Sequence, residues 1–161
     1  MWAREAPGQW SERKIDTMET VQSLACGPGD ALWVSASFAT LLSSSDDGES
    51  WDETSFDDDL ILTSIQFPGG QTGIALGEFS AMIRSQDGGE TWENLGTAPE
   101  DFYPLASYFS TALTGWVSGL GGEIYVTRDG GESWELEPTG TDAPLSVSYT
   151  HLTLPTIRLV V

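Results

Sequence analysis

The sequence predicts an all-β protein built from repeated four-stranded units, and two observations support this prediction. First, the eight-residue pattern [ST]-x-D-x-G-E-[ST]-W occurs three times, and its tryptophans Trp51, Trp92 and Trp134 are 41 and 42 residues apart. Second, each unit holds four short segments rich in aromatic and β-branched residues, separated by Gly, Asp and Ser, without sustained helical periodicity. Four strands in a unit of this length indicate a blade of a β-propeller.

The predicted elements follow from the repeat in chain order. Trp10 lies 41 residues before Trp51 and marks the outer strand of an earlier unit. The three complete blades are predicted at about residues 20–55, 60–96 and 103–138, within a partial propeller over residues 1–146. In the third blade, the four strands are predicted at 105–109, 115–119, 123–127 and 133–137.

Upstream of each box, the repeat contains positions with a conserved chemical character among the three units. Trp33 and Trp116 share one position, where the second unit has Ile74, so this position is large and apolar. We interpret it as core packing, and the alternative is an aromatic platform for carbohydrate. Cys26 aligns with a phenylalanine in each of the other units, which predicts a buried small apolar residue and not a nucleophile.

Each eight-residue box lies between the third and fourth strands of its unit and is predicted to form the hairpin turn. An aspartate carboxylate can accept backbone N–H groups just ahead of it, and a glycine can adopt positive φ without a steric penalty. The tryptophan opens the outer strand and is expected to pack over the turn or against a neighbouring blade. The predicted structural residues are Ser44, Asp46, Gly48, Trp51, Ser85, Asp87, Gly89, Trp92, Thr127, Asp129, Gly131 and Trp134.

Composition narrows the function classes. The chain has 25 acidic and 6 basic residues, a net charge of −19, which argues against nucleic-acid binding and against docking on anionic membranes. Cys26 and His151 are the single cysteine and histidine, so a disulfide framework and zinc sites made from these residues are excluded. No apolar run is long enough to insert into a membrane. The sequence predicts no cofactor, no metal ligand and no catalytic residue.

The last residues of the chain, 147–161, break the repeat. This segment resembles a translated sequencing adapter, because one reading frame of a transposon-end adapter encodes residues 147–156 without a mismatch. Segments of this kind are left out of fold reasoning. We therefore expect residues 147–161 to be non-native and the propeller to be incomplete, with about three blades and one outer strand.

The boxes resemble Asp-box repeats, also called BNR repeats. Residues 115–134, GWVSGLGGEIYVTRDGGESW, resemble the photosystem II stability/assembly factor family, and the resemblance extends over about residues 10–145. It implies a propeller of about seven blades, monomeric as a complete ring, that acts as a non-enzymatic scaffold for a protein client. It also implies a periplasmic, secreted or thylakoid-lumenal location. The photosystem branch is understood to hold its client with a basic patch, whereas this chain has one lysine, Lys14, and no arginine cluster.

Asp-box repeats also occur in glycoside hydrolases, so a fragment of a sialidase or xyloglucanase remains the alternative, and a secreted binding repeat is a third. A sialidase needs three converging arginines, and the arginines before the tail are Arg4, Arg13, Arg84 and Arg128. A xyloglucanase would use two aspartates from separate blades. Loop aspartates that could serve are Asp30, Asp101 and Asp142, and nothing in the sequence distinguishes them from ordinary loop acids.

Overall fold

The computed structural model describes residues 2–6, 9–56, 59–97 and 102–146. The predicted non-native tail at 147–161 lies outside these residues, as does the candidate loop acid Asp101. Within the described ranges the regular secondary structure consists of strands and two single-turn 3-10 helices, Pro28–Asp30 and Glu78–Ser80. The described residues contain no helix with the length and apolar character needed to cross a bilayer.

Three four-stranded antiparallel sheets form the body of the protein, and each sheet is one blade with its strands in sequence order. The first blade contains β3 (Val21–Cys26), β4 (Leu32–Ala36), β5 (Thr40–Ser44) and β6 (Asp52–Ser55). The second contains β7 (Leu62–Gly69), β8 (Thr72–Gly77), β9 (Ala81–Ser85) and β10 (Glu93–Thr97). The third contains β11 (Pro104–Phe109), β12 (Gly115–Gly119), β13 (Ile124–Thr127) and β14 (Glu135–Glu137). The predicted all-β propeller class is confirmed.

A two-stranded sheet precedes the blades and contains the segment around Trp10. Its strands are β1 (Trp2–Ala6) and β2 (Gln9–Glu12), paired antiparallel. The sequence predicted one outer strand here, and the structure adds the strand that pairs with it.

Because consecutive strands are antiparallel, their connections alternate between two ends of each blade. One end, which we call the box end, carries the turns between the first and second strands and the Asp boxes between the third and fourth. The other, the linker end, carries the turns between the second and third strands and the linkers from one blade to the next. Hydrogen bonds join turn and linker there: Ala39 N–H donates to the Leu60 carbonyl at 2.7 Å, and the Ser80 hydroxyl donates to the Phe102 carbonyl at 2.6 Å.

The hydrophobic core lies in the seams between adjacent blades. On β8, successive side chains point to opposite faces of the sheet, as the period of two in a strand requires. Ala75 therefore packs in the seam with the first blade, whereas its neighbours Ile74 and Leu76 pack in the seam with the third. Both faces of β8 are buried in this way, which explains its continuous apolar run of Ile74, Ala75 and Leu76.

Two details differ from the sequence-based expectation. Strand β14 begins at Glu135, two residues later than predicted, because Ser133 takes part in the hydrogen bonds of the preceding box. Cys26 is exposed, so the prediction that it is buried is wrong. At the same repeat position Phe67 and Phe109 reach the box tryptophan of their own blade, with ring centroids 6.1 and 6.3 Å apart, and the short thiol side chain does not extend that far.

Candidate functional site: the Asp-box turns

Each Asp box begins with a hydroxyl that links the two sides of the turn. In the first blade, the Ser44 hydroxyl donates to Asp46 Oδ1 at 2.8 Å and accepts the Gly48 N–H at 2.9 Å. Ser85 and Thr127 make the same pair of hydrogen bonds in the other two boxes, each at 2.8 Å. The side-chain hydroxyl of this residue acts both as a donor and as an acceptor, which explains why Ser or Thr occupies the position in every box.

The box carboxylate then accepts two hydrogen bonds from the residue four positions later in the chain. Asp46 Oδ1 accepts the Ser50 N–H at 2.9 Å, and Oδ2 accepts the Ser50 hydroxyl at 2.6 Å. The other boxes repeat this arrangement between Asp87 and Thr91 and between Asp129 and Ser133. Both carboxylate oxygens therefore serve the turn as hydrogen-bond acceptors.

Glycines let the chain reverse direction within the box. Gly48, Gly89 and Gly131 have φ of 82°, 99° and 95°, a region that residues with a Cβ rarely adopt. In the first box Asp47, at φ 59°, stands where the other two boxes have a glycine. The Trp51 indole N–H closes this turn by donating to the Gly48 carbonyl at 3.2 Å.

The second and third boxes also pack against the blade that precedes them. A Cβ on Gly89 would lie 2.1 Å from the Trp33 ring of the first blade, and a Cβ on Gly131 would lie 2.2 Å from the Met82 methyl group of the second. Arg84 extends from the second blade to the third box, where its guanidinium donates to the Gly130 carbonyl at 3.4 Å and lies 3.5 Å from Glu132. The boxes thus contribute to the seams as well as to the turns.

Hydrogen bonding keeps the box carboxylates ionised. The pKa of Asp46 is lowered from 3.8 to about 2, first by the Ser50 hydroxyl and then by the Ser50 N–H. The hydroxyls of Thr91 and Ser133 are the main cause of the same lowering, to a pKa of about 2, for Asp87 and Asp129. At neutral pH these groups accept hydrogen bonds and hold no proton to donate.

We expect the boxes to make the protein sensitive to acid. Since the folded pKa values lie below the unfolded value of 3.8, the stabilisation is complete above about pH 4 and is lost as the pH falls towards 2. Urea midpoints measured from neutral pH down to this range should fall, and Asp46→Asn should flatten the profile. Asp52→Asn, at an exposed acid on β6, is the control, and an equal flattening by both variants would contradict the assignment.

The structure distributes the predicted box residues over three turns, so they do not converge on one site. Sequence reasoning missed the roles of Ser50, Thr91 and Ser133, although a hydroxyl in the seventh place of all three boxes was a visible signal. It also missed the contact of Arg84 with the next box, for which the sequence offers no signal because the two groups are joined only by blade packing.

The other candidates remain apart from one another. Asp30 lies in the first turn of its blade at the box end, while Asp142 lies beside Gly122 at the linker end of the third blade. Arg84 is buried in a seam, and Arg128 is exposed and pairs with Glu135 of its own blade. Among the described residues, no cluster of His, Cys, Asp or Glu could hold a metal ion.

The two candidate platform tryptophans differ in burial. Trp33 is 5% exposed and packs in the first seam, so the core interpretation holds for it and a carbohydrate platform does not. Trp116 is half-buried and stacks on Tyr108 with ring centroids 6.4 Å apart.

Four-stranded blades whose outer hairpins are closed by these boxes define an Asp-box β-propeller protein. A family model described as the BNR/Asp-box repeat matches residues 125–136. The model of a second family, described as photosynthesis system II assembly factor YCF48, matches residues 3–101. This match includes more than half of the chain, which therefore belongs to the YCF48 assembly-factor family.

Solved structures show the same fold. A structure described as YCF48 bound to a D1 peptide is 22% identical, with a TM-score of 0.71, and the match covers 81% of this chain and 44% of that one. YCF48 from Cyanidioschyzon merolae is 24% identical, with a TM-score of 0.68 and coverage of 79% and 39%. A GH74 enzyme from Niastella koreensis is 19% identical, with a TM-score of 0.52 and coverage of 77% and 18%. No curated protein sequence matches the chain. The matched part is thus less than half of either YCF48 chain.

Proposed function

We propose that this chain is part of a non-enzymatic, protein-binding scaffold that assists assembly in the manner of photosystem II assembly factors. The observation that carries the proposal is the family match over residues 3–101. A propeller of similar fold is described as bound to a D1 peptide, which supports a segment of a client protein as the ligand. We further propose that residues 1–146 form the partial propeller and that the twelve box residues hold its turns and seams.

The chemistry of the boxes supports a structural role in preference to catalysis. Glycoside hydrolysis requires a carboxylic acid that keeps its proton near neutral pH, which means a raised pKa. The box aspartates have pKa values of about 2, and their oxygens are occupied by Ser50, Thr91 and Ser133. A glycoside hydrolase would therefore need other carboxylates, and the GH74 likeness concerns the fold alone.

The charge of the chain indicates which client segments it would hold. With a net charge of −19, the protein favours segments that carry Lys or Arg, and salt should weaken the complex. This expectation differs from the basic patch that the family resemblance implies. The family relationship therefore supports protein binding as the function, and the charge of this chain favours basic segments of the client.

The test is to apply the purified chain to an array of overlapping synthetic peptides that covers the D1 protein, and to measure affinities of the positive peptides by fluorescence anisotropy. We expect saturable binding to a subset of peptides, weakened by added salt. Release of reducing ends from xyloglucan is measured in parallel. Absence of peptide binding would overturn the proposal, and turnover of xyloglucan would establish the hydrolase alternative in its place.

A further inference from the structure

Two phenylalanines project from the linker end at the same repeat position. Phe38 lies at the tip of the β4–β5 turn and Phe79 at the tip of the β8–β9 turn, 41 residues apart. Their side chains are 56% and 69% exposed, although both are large and apolar. The seam cores do not use them, so packing within the protein gives no reason for these residues.

The backbone at these tips makes the choice of phenylalanine more unusual. Phe38 and Phe79 have φ of 52° and 53°, and the next residues, Ala39 and Ser80, also have positive φ. Two successive positive φ angles favour Asn-Gly or Gly-Gly, and a bulky residue there is an outlier. The third blade has Gly121 and Gly122 in the corresponding turn, where Gly122 has a φ of 85° and Gly121 does not have a positive φ. Folding alone would favour small residues at the strained positions of the first two blades, and strained residues of this kind cluster at ligand-binding positions.

Further apolar side chains lie at the same end. Leu120, in the β12–β13 turn of the third blade, is more than half exposed. Tyr103, on the linker between the second and third blades, is also exposed and donates its hydroxyl to Glu78 at 3.1 Å. We call Phe38, Phe79, Tyr103 and Leu120 the linker-end row. The Leu120 N–H donates to the Tyr103 carbonyl at 3.1 Å, and Tyr103 in turn reaches Glu78, the residue before Phe79. Exposed apolar residues that are neighbours on one end of a protein are typical of interaction sites.

Carboxylates accompany the linker-end row in every blade. Glu19 accepts the Ser37 hydroxyl at 2.6 Å beside the first turn, Glu78 is part of the second, and the Glu123 carboxylate lies against Gly121 in the third. Three arginines are paired with acids elsewhere: Arg13 with Glu49, Arg84 with Glu132, and Arg128 with Glu135. Each of the three turns of the linker end therefore carries a carboxylate.

We propose that the linker-end row is the docking surface for the client, and that it binds a protein segment in which apolar side chains are flanked by Lys or Arg. This inference rests on the proposed function and specifies its surface and the chemistry of its partner. The apolar side chains of the client would pack on the phenylalanine rings, which are rigid anchors of the kind that dominate binding energy. The flanking cations would meet Glu19, Glu78 and Glu123.

The decisive variant is the double substitution Phe38→Asn with Phe79→Asn. Asparagine tolerates positive φ, so the variant loses the rings while the turns keep their conformation. We expect its melting temperature to equal or exceed that of the wild type, and its affinity for the client peptide to fall roughly tenfold or more. The matched control is Leu113→Asn, which removes a side chain that is 58% exposed at the box end and should leave binding unchanged.

Two probes separate this inference from the proposed function. One is the set of D1 peptides that bind the wild type; the other is a synthetic peptide in which Leu-Trp is flanked by Lys and Arg, with a Glu-flanked version as its control. If D1 peptides bind the wild type and the Asn variant equally, the surface is wrong while the function stands. If only the basic synthetic peptide binds and requires both phenylalanines, the surface stands and D1 is not the client. Binding of neither probe would overturn both proposals.

Discussion

Replacing Trp33 by Ala is expected to lower the free energy of unfolding by about 3–5 kcal/mol, the usual cost of removing a large aromatic side chain from a packed core. Trp33 is buried in the first seam, where its ring centroid lies 5.5 Å from that of Phe67 and 5.4 Å from that of Trp92. Truncation would leave a cavity between the first and second blades. Urea denaturation followed by circular dichroism measures the loss.

Trp116→Ala provides the matched control, because Trp116 occupies the same repeat position in the third blade. Its side chain is half-buried and stacks on Tyr108 alone among the described aromatic rings. We expect a smaller loss, about 1–2 kcal/mol, in the ordinary range for a partly buried residue. Equal losses for the two variants would contradict the conclusion that Trp33 packs in a seam core and Trp116 does not.

Gly89→Ala is expected to lower the free energy of unfolding by about 2–4 kcal/mol. Two effects contribute. The φ of 99° at Gly89 is strained for alanine, and the added Cβ would lie 2.1 Å from the Trp33 ring, which is a steric clash. Strain at a glycine-specific φ costs about 1 kcal/mol or more, and overpacking adds about 1–3 kcal/mol. Thermal and urea denaturation of the variant beside the wild type measure the effect.

Gly70→Ala separates these two contributions. Gly70 also has positive φ, at 58°, and nothing lies within 4 Å of its added Cβ, so this variant shows the backbone cost by itself, about 1 kcal/mol. The double variant of Gly89→Ala with Trp33→Ala then measures the clash, because removal of the ring gives the methyl group room. We expect a coupling free energy of about 1 kcal/mol or more between the two substitutions. Strictly additive losses would show that the box does not pack tightly against Trp33 of the preceding blade.

The features of this protein that could be predicted from the sequence are those set by residues close together in the chain. The box hydrogen bonds join residues two to four positions apart, as between Ser44, Asp46 and Ser50, so their geometry follows from the residues themselves. The strands are separated by turns whose residue preferences are equally local. The prediction for Cys26 was wrong because alignment within the repeat identifies equivalent positions and does not show whether a shorter side chain reaches the same partner.

The repeat length, the box pattern and the strand pattern by themselves determined the all-β blade architecture and the location of every Asp-box turn. Only the tertiary structure decided which side chains meet across the seams. Trp33 and Trp116 are equivalent in the repeat and differ in burial, and Arg84 contacts a box 46 residues away in the chain. The physical reason is that a turn is specified by neighbouring residues, whereas burial and contact between blades depend on how separate sheets pack, which the spacing within one repeat does not encode.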